Sequence, residues 1–181
     1  TYINVEKNNI KILDIGSKNW FYVFGEYSFF KYNNFEKEIC IDGIEIDAFR
    51  IYTDFHSRHD YALYYSEGLE NCRYIAGDFL KHQSKYDYII WFFPFVAEYS
   101  LLKWGLPLGT FKPLEMLRHA VDSLNPGGSI LIVNQDENEY SVQESLIKKL
   151  NVSYKKQGSF KNSFLEYKHK RYVTVINADL G

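Results

Sequence analysis

Four prolines, two cysteines and no run rich in glycine or serine occur in 181 residues. That scarcity leaves no linker, repeat or low-complexity tract in view, so residues 1–181 read as one continuous domain. No stretch of about 18 apolar residues occurs, which excludes a membrane-crossing helix. An excess of charge is missing too: 21 basic residues against 23 acidic ones give a formal net charge of −2. This balance argues against a protein whose main work is coating nucleic acid or an anionic membrane, and leaves room for a local basic patch. The opening segment, Thr1 to Glu6, lacks the charged start and apolar run of a signal peptide, so a cytoplasmic location is expected. No cysteine or histidine cluster has the spacing of a structural zinc site. Cys40 and Cys72 sit in apolar surroundings and are expected as two reduced core thiols, joined only if the fold brings them together.

Aromatic residues are plentiful: 16 Tyr, 14 Phe and 3 Trp. The apolar share of 46% is enough for a core. Some rings must build that core, while amphipathic tyrosines also suit a pocket or an interface. The aromatic helical stretch 20–33 reads equally as core and as the face of an oligomer.

Five apolar segments read as strands: residues 11–16, 38–46, 73–77, 86–93 and 129–133. The fourth is nearly all apolar, as a strand buried on both faces should be. Residues 125–128 introduce the fifth as a turn. Helical spacing marks residues 20–33, 48–67, 113–124 and 139–150. In the third of these, Leu114, Leu117, Val121 and Leu124 share a stripe, Pro113 suits the first turn, and Thr110 is a candidate cap. Residues 152–157 and 171–177 read as two late strands. Strand and helix thus alternate, then two strands close the chain. The pattern predicts a three-layer α/β/α sandwich around a mostly parallel seven-stranded sheet with an antiparallel last strand.

Ligands of such sheets sit beyond the carboxyl ends of the strands. After the first strand come Asp14, Gly16, Ser17, Lys18, Asn19 and Trp20. A glycine there lets the backbone turn toward a helix whose free N–H groups face an anionic group. Glu45, ending the second strand, can accept both hydroxyls of a ribose. Asp78, after the third, can accept from an exocyclic amine, and Phe79 offers a wall for a flat base. Phe92, Phe93, Pro94 and Phe95 follow the fourth.

These residues resemble the motifs of class I S-adenosylmethionine-dependent methyltransferases. The resemblance is carried by residues 12–16 around Asp14, 43–47 around Glu45, 76–80 around Asp78, 86–90, and 124–132 with Asn125, Pro126, Gly127 and Gly128. They stand in the family's order, and the late strands supply its closing hairpin. The resemblance implies a Rossmann-like fold, S-adenosylmethionine as cofactor and S-adenosylhomocysteine as product; the methyl acceptor is left unidentified, with a small molecule the stronger reading and RNA the weaker. By position it puts Asp14 under the cofactor loop, with Gly16, Ser17 and Lys18 forming that loop. It assigns Glu45 to the ribose, Ile46 to the side of the adenine, Asp78 to its amine, Phe79 to its face and Phe93 to the methionine end.

The chain departs from the family at two places. Lys18 and Trp20 stand where further glycines are usual. Their side chains either narrow the approach, leaving a degenerate binding or partner module, or let the Lys18 ammonium pair with the cofactor's carboxylate. Asp14 and Glu45 lie 31 positions apart, so the first crossover is enlarged. Residues 92–95 hold no amide or carboxylate for a target amine, which argues against methylation of adenine or cytosine.

Residues 96–112, with Glu98, Tyr99, Trp104 and Gly105, read as a long loop over the substrate. The polar segment 134–139 is expected to face the same pocket. Glu98 reads as a candidate general base, or as an ordinary exposed acid. Lys155, Lys156, Lys161, Lys168, Lys170 and Arg171 form a basic stretch; contact with RNA phosphates is the weaker reading and a solvated hairpin the stronger. His56 and His59, three apart on a predicted helix, read as a packed or solvated helix face, with a metal or acid–base cluster the weaker reading, and His82 and His119 read as structural or exposed. No catalytic residue is assigned, because a sulfonium is already an activated donor and positioning supplies much of the rate.

Overall fold

Strands and helices follow one another as β1 (Asn9–Ile15), α1 (Val23–Asn33), β2 (Glu38–Glu45), α2 (Arg58–Ser66), β3 (Cys72–Ala76), β4 (Tyr86–Phe92), α3 (Glu98–Lys103), α4 (Pro113–Asp122), β5 (Leu124–Asn134), α5 (Glu137–Lys148), β6 (Tyr154–Phe160) and β7 (Arg171–Asn177). The structure is a computed structural model and describes residues 9–160 and 170–178. The strands form a seven-stranded sheet in the order β3-β2-β1-β4-β5-β7-β6. β1 runs parallel to β2, and β2 to β3. β7 runs antiparallel to both β5 and β6. The expected α/β class, strand count and antiparallel last strand are all present. Two compact units divide the chain between Ile90 and Trp91.

In the first unit, β1 is the inner strand of a parallel pairing. Ile10, Ile12, Leu13 and Ile15 are all buried, so the strand is covered on both faces. Trp20 is fully buried as well. A Cβ added at Gly43, in the middle of β2, would fall 2.7 Å from its indole. Glycine is therefore required at this position so that the ring can lie against the strand backbone. Tyr74 of β3 packs beside it, with ring centroids 6.0 Å apart. Burying a ring of roughly 200 Å² contributes up to about 5 kcal/mol.

In the first unit, two helix starts differ from expectation. α1 starts at Val23 rather than residue 20, because Lys18 and Trp20 take positive φ values of 55° and 51°, which no helix allows. The helix predicted over 48–67 is only Arg58–Ser66. Its start is set by a capping box: the Ser57 hydroxyl accepts from the Asp60 N–H at 3.1 Å, and the Asp60 carboxylate accepts from the Ser57 N–H at 2.8 Å. Upstream, Ile51 and Ser57 form an antiparallel bridge, and Phe55 has φ +67°. His56 consequently precedes the helix, and His59 stacks on Phe49, so the two imidazoles share no helical face. Cys40 and Cys72 are free thiols and only half-buried, not core residues.

In the second unit, β5 begins at Leu124, so residues 125–128 belong to the strand rather than to a turn before it. The Ala178 N–H donates to the Gly128 carbonyl at 2.8 Å, which extends the β7 pairing past Ser129. The predicted loop 96–112 holds α3 and a 3-10 turn over Leu108–Thr110. Thr110 caps nothing at α4: its hydroxyl donates to the Pro107 carbonyl at 2.7 Å, and Lys112 precedes the helix without a side-chain cap. Asp136 caps α5 by accepting from the Glu139 N–H at 2.9 Å. β6 runs to Phe160, past the predicted end at 157, with an irregularity between Lys156 and Gly158. The Lys156 ammonium sits 2.7 Å from Glu144, which also pairs with Lys148 at 3.1 Å. These two cations hold the Glu144 carboxyl down at about 2. Part of the basic stretch is thus neutralised by α5; Lys161 and Lys168 lie outside the described residues.

Among the described residues no helix is long and apolar enough to cross a membrane. Nor does any group of three histidine, cysteine, aspartate or glutamate side chains among them suit a metal ion.

Gly43→Ala is expected to destabilise the protein by about 1–3 kcal/mol, because the buried indole has nowhere to move. Urea denaturation of the variant against the parent chain measures this. The loss should shrink in a Trp20→Leu background, where the clash is absent.

Candidate functional site

β1 ends at Ile15, and the chain turns through Gly16, whose φ of +74° favours glycine. The Gly16 N–H donates to the Ile44 carbonyl at 2.9 Å, fastening the turn to β2. A Cβ at Gly16 would meet nothing within 4 Å, so this backbone borders open space. At Lys18 the left-handed conformation costs about 1–2 kcal/mol. It is offset by bonds at both ends of the residue. The Lys18 N–H donates to Glu45 Oε2 at 3.0 Å, and its carbonyl accepts from the Tyr74 hydroxyl. Trp20 has the same strain and offsets it by burial.

Glu45 stands at the carboxyl end of β2 and is buried. Its Oε1 accepts from the Asp47 N–H at 2.8 Å and lies 3.5 Å from Arg58 Nη1. That guanidinium is also 3.4 Å from Asp47 Oδ2, which in turn pairs with Arg50 Nε at 2.5 Å. Arg58 is 2% exposed, an internal cation for Glu45 and Asp47. The capping box of α2 makes it the first helical residue and so aims it inward. A carboxylate has about four acceptor positions, and the bonds to Glu45 leave capacity on Oε2. The Glu45 carbonyl accepts from the Gly77 N–H at 2.9 Å, which fastens the segment after β3 to the same residue.

Beneath the loop lies a second carboxyl group. Asp14 is fully buried; its Oδ2 accepts from the Tyr22 hydroxyl at 2.8 Å, while Oδ1 has no partner. Glu26 of α1 behaves alike: Oε2 accepts from the Trp20 indole N–H at 3.1 Å, and Oε1 has no partner. The Ser17 hydroxyl and the Asn19 Oδ1 are also buried without partners. Burial pushes the Asp14 carboxyl up to about 7, against the pull of the Tyr22 hydrogen bond. Burial, then the neighbouring Asp14, raises Glu26 as well.

Asp14, Gly16, Ser17, Lys18 and Glu45 are thus brought together at the tips of β1 and β2. Ile46 follows Glu45 and is half exposed. Asp78 spends one carboxylate oxygen on the Leu80 N–H at 3.0 Å, capping a 3-10 turn, and Phe79 packs into the core. In the second unit, Phe93 takes φ +56°, donates its N–H to the Val133 carbonyl at 2.7 Å, and lies under the Arg171 guanidinium at 5.0 Å. The polar segment 134–139 differs from expectation. Asn134 and Glu139 are buried, and Glu139 accepts from the Ser100 hydroxyl at 2.9 Å and the Gln135 N–H at 3.2 Å. Glu98 is an exposed first residue of α3. Sequence reasoning missed Arg58, Tyr22 and Glu26. Ser57 with Asp60 three positions on was the readable signal for Arg58.

Folded Asp14 keeps its proton to about pH 7, whereas the unfolded chain releases it near 3.8. Between those values the folded state binds more protons, so its stability falls as pH rises through that window. Asp14→Asn, which keeps an acceptor for Tyr22, should remove roughly 2–4 kcal/mol of this pH dependence, measured as unfolding free energy from pH 4 to 7.5. Arg58→Met leaves two carboxylates without their internal cation and should cost about 3–5 kcal/mol, with Arg58→Lys recovering only part. Thermal denaturation of the pair at neutral pH checks this.

Neither a family model nor a curated protein sequence matches the chain. Solved structures do. A class I S-adenosylmethionine-dependent methyltransferase of Listeria monocytogenes, itself described as putative, superposes with a TM-score of 0.64 at 12% identity, covering 96% of this chain and 55% of its own. The chain therefore spans about half the length of that neighbour. A methyltransferase from Pyrococcus furiosus gives 0.63 at 19% identity, covering 97% and 78%. The plantazolicin methyltransferase BpumL, solved with S-adenosylhomocysteine, gives 0.54 at 14% identity, covering 93% and 76%. At these identities the similarity concerns architecture: the chain has the fold of the class I S-adenosylmethionine-dependent methyltransferases.

Proposed function

We propose that the chain binds S-adenosylmethionine and transfers its methyl group to a small-molecule acceptor, releasing S-adenosylhomocysteine. One observation carries this reading: the Glu45 carboxylate is tied to the Lys18 main chain across the tips of β1 and β2, beside a glycine turn that borders open space. The residues fit the cofactor. Glu45 Oε2 keeps acceptor capacity for a ribose hydroxyl. The buried polar atoms without partners, Asp14 Oδ1 and Ser17 Oγ, leave hydrogen-bonding capacity beneath the loop for a polar ligand. Lys18 offers an ammonium to a carboxylate, and Asp78 keeps a second carboxylate oxygen for an amine.

The cofactor's sulfonium supplies an already activated methyl group. The chain's own work is then to bind, orient and exclude water. Glu45 is held in one orientation by two N–H groups and Arg58, so it needs no reorganisation to receive hydroxyls. No side chain is assigned as a base.

The competing reading is a non-catalytic partner module. Main-chain donors already on both Glu45 oxygens, and side chains at positions 18 and 20, favour it. Calorimetric titration with S-adenosylhomocysteine separates the two. Enzyme function predicts micromolar binding that weakens at least about tenfold, or 1.4 kcal/mol, in Glu45→Gln, which keeps the side-chain length and one acceptor for the anchoring N–H groups. Absence of binding at millimolar ligand leaves the partner module.

A further inference from the structure

α1 turns an uncharged aromatic face to solvent. Phe24, Phe29 and Tyr32 are 67%, 49% and 86% exposed, and Phe21 and Phe35, just beyond the helix ends, are 60% and 81% exposed. The helix anchors itself through Val23, Glu26 and Phe30, which are buried. At about 100° per residue, positions 24, 25, 28, 29 and 32 fall on the side away from that anchor. Gly25 and Ser28 run along the middle of this side. A Cβ on Gly25 would meet nothing within 4 Å, so the rings flank a shallow trough in which helix backbone is open. Lys31, at the edge of the stripe, directs its ammonium back to the Lys37 carbonyl at 3.3 Å.

The exposed area of the five rings is roughly 700 Å², taking about 200 Å² per ring. The largest apolar patch on a typical monomer is about 300–600 Å², and a stable interface buries about 800 Å² per partner. The three rings on the helix supply roughly 400 Å² of this, and only together with Phe21 and Phe35 at its two ends does the surface approach the area that one side of a dimer contact needs. Its chemistry also selects the partner. A two-fold contact sets one patch against itself, which an uncharged surface tolerates without like-charge repulsion. Large rings beside a trough of small residues are self-complementary: the rings of one helix enter the trough of the other.

We propose that the exposed face of α1 is the contact of a homodimer, in which two α1 helices cross about a two-fold axis near Gly25 and Ser28. This assignment is independent of methyl transfer. Multi-angle light scattering and sedimentation equilibrium of the full chain at micromolar concentrations should give twice the 21.4 kDa chain mass. The double variant Phe24→Asp/Tyr32→Asp changes only exposed side chains. It should keep the parent circular dichroism and raise the dimer dissociation constant more than about tenfold. Phe49→Asp/Phe55→Asp, on exposed rings outside α1, should leave that constant within about threefold. Ser28→Cys should give an intermolecular disulfide on non-reducing gels at a dilution where Cys40 and Cys72 give none. A monomeric parent chain, or a dimer to which Phe24→Asp/Tyr32→Asp is indifferent, overturns the proposal. So does a dimer that both double variants weaken alike.

Discussion

The Glu45 carboxylate is the point on which the first unit's strand tips depend. It receives the main chain of the loop after β1 through Lys18, the main chain beyond β2 through Asp47, and the side chain of α2 through Arg58. Three segments separated in sequence therefore share one anchor. A buried anion without these donors would cost far more than the loop geometry could return. With them, the carboxylate is held in one orientation, and the loop acquires a fixed shape. In its left-handed conformation Lys18 presents its N–H to Glu45 and its carbonyl to Tyr74.

A second level of buried acid lies underneath and works differently. Asp14 and Glu26 have no internal cation among their bonded partners; they have Tyr22 and Trp20 as neutral donors. Burial then favours the protonated forms. Glu45 is held by a guanidinium and Asp14 by a phenol, so two buried carboxyl groups in one small region have partners of different charge. Trp20 links the two levels. Its ring seals the sheet at Gly43 while its N–H serves Glu26.

Most of the architecture was legible in the sequence, because apolar runs mark parallel strands whichever side chains surround them. Strands predicted over 11–16, 38–46, 73–77 and 86–93 lie within two residues of β1 to β4. The errors came where a local hydrogen bond outranks periodicity. Ser57 and Asp60 stop α2 from extending back to residue 48, and the bond from the Ala178 N–H to the Gly128 carbonyl carries the β7 pairing one residue into the predicted turn 125–128. At the site, Gly16, Lys18 and Glu45 could be named because a strand end followed by glycine or acid is a local pattern. Arg58 could not be placed from periodicity alone, because its meaning depends on a contact 13 positions away. The departures at 18 and 20 were visible; that both residues adopt a glycine-like backbone was not.

The internal pairing of Arg58 has an effect reaching past the contacts themselves. A guanidinium never releases its proton in water at ordinary pH, so it cancels the Glu45 charge from within rather than leaving that task to mobile ions. The field projected into solvent from this end of the unit is correspondingly weak. Under the proposed function, capture of the cofactor there would rely on short-range fit after diffusional encounter and be comparatively indifferent to ionic strength.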